Sequence, residues 1–378
     1  MNIVVAPDSF KGSMTSGEAC NAIKAGLLSY DADFSVTLAP IADGGEGTVD
    51  ALVTIMKGET ISEKVFDPLD REIEANYGWV EGTSTAIIET AAASGLPRLK
   101  EGELNPAEAS TYGTGQLIRA AVRKGARRII LGLGGSATVD AGTGCFQALG
   151  VRFLDKKDKE LKMNGASLAK VARIQTDEMD ETLQHIEWVI ASDVSNTLLG
   201  KEGAVYVFGP QKGVKNGELE EYEFGMRNYA EKMRNHTGDD LISIEGSGAA
   251  GGFGFTLYSL LEKVELRSGF DLVAGAAKLE ELVDGADLVI TGEGKMDNQT
   301  LYGKGPVGIS RLARKASVPC IAFTGKYEPE AFEGGNGCMM GVVPIVDEPM
   351  TLEDAMKSGK ELLQRATLRC MEIYHLKN

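Results

Sequence analysis

At both ends of the chain, short apolar runs alternate with apolar positions at helical spacing. Ile3–Ala6 and Val36–Ala39 read as strands, and between them Ala19, Ile23 and Leu27 recur along one face of a predicted helix over Ser16–Ser29. Thr15 or Ser16 followed by Glu18 marks that helix's start, because a hydroxyl can accept from the first free amides. Strand, helix and strand in this order predict a parallel βαβ unit. The alternation returns after Ala286, with strands at Leu288–Ile290, Cys320–Phe323 and Val342–Ile345. Helices are predicted there over Pro306–Ala316 and from Leu352 to Tyr374.

The middle of the chain behaves differently. From Ile61 to Ile88 short alternating runs are broken at Phe66-Asp67-Pro68-Leu69-Asp70 and Glu81-Gly82-Thr83-Ser84, which predicts antiparallel pairing. A helix over Gly115–Lys124 and strands at Arg128–Leu131, Trp188–Ala191 and Ala204–Phe208 follow. The expected fold class is therefore α/β with two domains. A doubly wound parallel sheet is built from both termini, residues 1–62 and 284–378, and a mixed α/β domain is inserted at 63–283.

Composition narrows the function. With 378 residues, 43% apolar and 25% charged, the chain can bury two cores. A net charge of −16 argues against nucleic acid as a partner, since phosphate backbones require basic surface. Met1–Ala6 enters a strand without a basic start or a long apolar segment, so neither a signal peptide nor a membrane span is expected. Five cysteines without a CxxC pair read as reduced thiols of a cytoplasmic protein, and three scattered histidines give no zinc set or His-based triad. The chain carries 47 glycines, and the excess over ordinary usage gathers where strands end.

Those strand ends carry the candidate chemistry, because ligands of open α/β sheets bind beyond the carboxyl ends of the strands. The first strand runs into Asp8-Ser9-Phe10-Lys11-Gly12-Ser13, where Lys11 adds its charge to a helix N-terminus and favours a phosphate or carboxylate. Arg128–Leu131 runs into Gly132-Leu133-Gly134-Gly135-Ser136-Ala137-Thr138, in which amides unobstructed by Cβ atoms stand beside two hydroxyls, a donor set suited to an anion. A tight turn packing two layers is the alternative reading of that loop. It superficially matches a dinucleotide fingerprint, but the glycines up to Gly150 leave no room for the usual long crossover helix. No segment fits the GxxxxGK[ST] pattern, which excludes a P-loop NTPase. Phe208-Gly209-Pro210-Gln211-Lys212-Gly213 presents a second lysine at a turn. Carboxylates able to hold Mg²⁺ or accept a hydroxyl proton stand at Asp43 and Glu46, at Glu293 and Asp297, and at Asp193, with helix capping as the rival role.

Taken together and in order, the segments Asp8–Ser13, Ala42–Thr48, Gly113-Thr114-Gly115, Gly134–Thr138, Phe208–Gly213, Gly248–Gly252 and Gly292-Glu293-Gly294 resemble the bacterial type I glycerate kinases. The resemblance runs from Ala6 to about Gly325. It implies transfer of the ATP γ-phosphoryl group to D-glycerate at the 2-hydroxyl, with ATP and Mg²⁺ as cofactors. It also implies two α/β domains, one flavodoxin-like, with the site in the cleft between them. Within that frame Lys11, Lys212 and the amides of Gly134–Ser136 neutralise phosphate charge, with Asp8, Ser9, Ser13, Gly135, Thr138 and Lys295 as further substrate or phosphate ligands. Some of Asp43, Glu46, Glu293 and Asp297 are expected to hold the metal, and Asp193 is the expected base. Val139, Ala141, Thr197 and Lys295 depart from the family's usual asparagine, glycine, proline and arginine. Kinases of other small hydroxy acids or sugar acids, and a non-catalytic small-anion sensor, stay open. The sequence allows a homo-oligomer, with neither nucleic acid nor membrane as partner.

Overall fold

The computed structural model describes residues 1–42, 47–100, 102–297, 305–328 and 341–375. Its strands are β1 (Asn2–Val5), β2 (Ser35–Leu38), β3 (Glu59–Phe66), β4 (Glu72–Val80), β5 (Thr85–Glu89), β6 (Arg128–Gly132) and β7 (Arg152–Leu154). There follow β8 (Arg173–Gln175), β9 (Glu187–Ala191), β10 (Val264–Arg267), β11 (Leu288–Met296), β12 (Cys320–Tyr327) and β13 (Gly341–Pro344). Contacts divide the chain into two compact units, one of Met1–Asp43, Asp50–Met56 and Phe270–Asn378, the other of Gly44–Val49 and Lys57–Gly269.

In the first unit the sheet order is β13-β12-β11-β1-β2, every pairing parallel. Counted within the unit this is the 2-1-3-4-5 order of flavodoxin-like folds, whose direction of winding reverses between β1 and β11. Ile3, Val4 and Val5 are all buried, as in a strand covered on both faces. The helix Ser16–Tyr30 begins with the expected capping box: the Glu18 amide donates to Thr15 Oγ1 and the Thr15 amide to Glu18 Oε2. Its Ile23 and Leu27 meet Leu362, Leu363 and Ala366 of the helix Gly359–His375 in one core.

In the second unit the order is β10-β9-β6-β5-β4-β3. Here β5, β6, β9 and β10 run parallel, while β3, β4 and β5 pair antiparallel, matching the alternating pattern of that stretch. Trp188, Tyr77, Phe146, Phe153, Tyr229, Phe253 and Phe255 fill its core.

Two expectations need correction. Ala204–Phe208 is a helix, not a strand: only Ala204 and Val205 are buried, Val207 is exposed, and the Gly209 amide returns to the Val205 carbonyl. Five apolar residues in a row carry no period that separates the two. The predicted closing helix is two helices, Leu352–Lys357 and Gly359–His375. Strand β3 pairs with β4 along its whole length, and Phe270, Leu279 and Val283 are buried.

Candidate active site

In the first unit the reversal between β1 and β11 gathers Asp8, Ser9, Lys11 and Glu293. The Asp8 amide donates to the Gly292 carbonyl at 2.8 Å, and Thr291 Oγ1 donates to the Ala6 carbonyl at 2.8 Å. Gly294 permits the close approach: a Cβ there would stand 3.2 Å from the Lys11 amide nitrogen. The Ser9 amide donates to Asp8 Oδ1 at 2.6 Å. Lys11 is exposed and Glu293 half-buried. Ser13, expected as a ligand contact, has its hydroxyl donated to the Met356 carbonyl at 2.6 Å, so it anchors the loop to the following layer.

Thr291–Asp297 had the composition of a loop, yet β11 continues through Met296, with Glu293 opposite Thr324 and Lys295 opposite Lys326. Parallel pairing on β12 overrides the weak strand propensity of Gly292 and Gly294. Lys295 Nζ meets Asp297 at 2.7 Å and Glu328 at 3.2 Å, and these bonds, Asp297's first, hold its pKa above the usual lysine value. Two carboxylates thus already neutralise Lys295. Asp43 and Glu46 lie outside the described residues.

In the second unit, register aligns Glu89, Gly132 and Ala191 at the carboxyl ends of β5, β6 and β9. Asp193 follows two residues beyond, half-buried. The glycine loop after β6 is fixed by an antiparallel bridge between Gly95 and Ser136: the Leu96 amide donates to Gly135 O and the Ala137 amide to Ser94 O, each at 2.9 Å. Gly134 is half-buried and Gly135 exposed, whereas Ser136 and Thr138 are buried. Thr138 Oγ1 has no hydrogen-bond partner among the described residues.

Lys212 comes to this loop from inside. Pro210–Lys212 is a single 3₁₀ turn, and the side chain, only 2% exposed, donates from Nζ to Ser136 Oγ at 2.7 Å and to Thr138 O at 2.9 Å. Among the described residues no carboxylate stands within ion-pair distance of it. Burial pushes its pKa down to about 7, opposed by the charge of Asp140. A buried ammonium without a paired anion is destabilising, and an arriving phosphate would relieve that cost.

Two carboxylates escaped the sequence reading. Glu89 accepts from the Val49 amide at 2.9 Å. Its signal was available, since Ala86–Ile88 is an apolar run that stops at an acid. Asp140, fully buried, accepts from Thr111 and from the amides of Gly142 and Gly144. Nothing in Val139-Asp140-Ala141 distinguishes it from a turn acid.

With this geometry in view, comparison with known proteins decides the relationship. The model of the glycerate kinase family matches residues 3–375. The chain belongs to the glycerate kinase family. It is 42% identical to a glycerate kinase of Halalkalibacterium halodurans, over 96% of each chain, and 36% identical to a glycerate 2-kinase of Escherichia coli, over 97% of this chain and 96% of that one. A crystal structure named as a glycerate kinase 2 from Salmonella typhimurium LT2 superposes with a TM-score of 0.87 at 37% identity, covering 100% of this chain and 99% of the other. Two departures from the family pattern acquire meaning here. Val139 is fully buried in the apolar core, so it removes no polar group from a ligand surface. Ala141 has φ of +54°, a left-handed conformation that suits the family's usual glycine.

Proposed function

We propose that the protein transfers the γ-phosphoryl group of ATP to the 2-hydroxyl of D-glycerate in the cytoplasm. Membership of a glycerate kinase family and likeness to a protein named glycerate 2-kinase set the reaction. The observation that carries the site assignment is the buried Lys212 ammonium, bonded among the described residues to neutral oxygens of Ser136 and Thr138 in the loop that follows a parallel strand. Phosphoryl transfer asks chiefly for positioned positive charge and donors where the migrating group's charge spreads. Lys212, Ser136 and Thr138, with the amides of Gly134 and Gly135, fill that role in the second unit, and Lys11, Asp8 and Ser9 line the corresponding strand ends of the first. Asp193 orients the glycerate hydroxyl and takes its proton.

Mg²⁺ fits this donor set. Mg²⁺ keeps several waters and binds through one or two carboxylates plus phosphate oxygens, so the carboxylates at these strand ends are ligands of the right type and number. Glu293 and Asp297 would hold it, with Asp43 and Glu46 as further candidates outside the described residues. When bound, the ion would neutralise phosphate charge.

No helix among the described residues is long and apolar enough to cross a membrane. The described cysteines are free thiols, in keeping with a reducing compartment. The reaction is tested by following ADP release with ATP and Mg²⁺ against a panel of hydroxy acids. Release that depends on D-glycerate is expected. ADP release with another acid alone, or none with any acid, would overturn the assignment.

A further inference from the structure

We propose that Asp140 is the positioning residue of the phosphate site, holding the Ser136–Gly144 segment so that Ser136 and Thr138 stay in place beneath the Lys212 ammonium. Its part in catalysis rests on the reading of Lys212 given above. Its part in placing Lys212 does not.

The side chain is wholly enclosed and surrounded by donors. Asp140 Oδ2 accepts from the Thr111 amide at 2.8 Å, from Thr111 Oγ1 at 2.7 Å and from the Gly144 amide at 3.2 Å, while Oδ1 accepts from the Gly142 amide at 3.2 Å. Thr111 Oγ1 in turn accepts from the Cys145 amide at 2.9 Å. One carboxylate therefore ties the start of the helix Tyr112–Lys124 to the start of the helix Thr143–Ala148. Two residues upstream is Thr138, whose carbonyl receives the ammonium. On the other side the Ala141 amide donates to the Gly251 carbonyl at 3.0 Å, and a Cβ on Gly251 would stand 2.2 Å from Thr138 O. The carbonyl that meets Lys212 is thus held from behind.

A carboxylate is required because all four contacts are donors and an ionised acid is acceptor-only, whereas an asparagine must turn its NH₂ toward at least one N–H. Charge matters separately. The ionisable neighbours sharing Asp140's field are Lys212, Cys145 on the helix Thr143–Ala148 and Tyr229 on the helix Leu219–Thr237. Burial raises both the thiol and the phenol, so each stays neutral, and Asp140 is the anion that opposes the loss of Lys212's proton.

The test compares Asp140→Asn, Asp140→Glu and Thr111→Val. The Lys212 Cε signal of lysine-labelled protein, assigned by its loss in Lys212→Met, is titrated by NMR, and kcat/KM for ATP is measured across pH. Asp140→Asn should lower the Lys212 midpoint, and with it the alkaline fall of kcat/KM, by about one unit or more. Asp140→Glu should restore both midpoints even where turnover stays low. Thr111→Val, nearly isosteric and with the charge kept, should leave the midpoints alone but lower kcat/KM for ATP at least tenfold. A shifted NMR midpoint with unshifted kinetics would uphold the placement of Lys212 by Asp140 and refute Lys212 as a phosphate ligand. Wild-type midpoints in a folded Asp140→Asn protein would overturn the proposal. Should that variant not fold, wild-type kcat/KM in Thr111→Val overturns it.

Discussion

Replacing Lys212 with methionine should change how stability depends on pH. The folded-state pKa of about 7 lies below the ordinary lysine value of 10.5. Between these values the unfolded chain binds a proton that the folded chain does not, so wild-type stability rises with pH across this window. The slope is about 1.4 kcal/mol per unit, and the whole span is on the order of 5 kcal/mol. The cost of the buried charge is fully present below pH 7 and is relieved toward pH 10.5. Methionine has a similar length and no charge, so the slope disappears. It also strips Ser136 Oγ and Thr138 O of their donor, at about 1–3 kcal/mol for each buried group left unsatisfied. Relative to wild type the variant should therefore be better off by about 3 kcal/mol at pH 6 than at pH 9.5, where it should be the less stable. Urea unfolding followed by tryptophan fluorescence reads the correct unit, because Trp79 and Trp188 are both buried in the second one. A stability difference that stays constant from pH 6 to 9.5 would refute the reasoning.

The same lysine predicts proton uptake. At pH 8 about a tenth of free Lys212 is protonated, so ATP binding beside it should take up close to one proton, read by calorimetry in buffers of different ionisation enthalpy; an enthalpy independent of buffer would contradict this. Asp193→Asn should lower kcat about 10²–10⁴-fold while leaving the ATP dissociation constant near wild type, and near-normal turnover would remove Asp193 from the base role. Ala141→Gly should stabilise by about 0.5–1 kcal/mol, because relief of left-handed strain outweighs the added freedom of the unfolded chain. A lower urea midpoint for that variant would contradict the local account.

The outer layers of the fold were legible because parallel βα units announce themselves twice, in apolar period and in punctuation. Thr15 or Ser16 with Glu18 marked the start of the first helix, whose cap is Thr15. Reading failed where tertiary context decides. Ala204–Phe208 lacks the length to show a period, and Thr291–Met296 is a strand only because β12 lies beside it. At the site, motif order drew attention to Ser136, Asp193 and Lys212, but not to how Lys212 reaches Ser136. A lysine at a Gly-Pro turn looks like a solvated tip, and its burial depends on the long-range packing that brings residue 212 to residue 136. Asp140 was hidden for a related reason, since its donors come from Thr111 and from a glycine-rich turn whose left-handed backbone no single residue type announces.

The central claim is phosphorylation of D-glycerate at its 2-hydroxyl, and proton-coupled ³¹P NMR of the reaction with ATP and Mg²⁺ tests it directly. Phosphorus on the 2-oxygen has one hydrogen on the carbon bearing it, and on the 3-oxygen it has two. A product doublet growing in step with ADP is the predicted result. A triplet, or ADP formation indifferent to glycerate, would contradict the account.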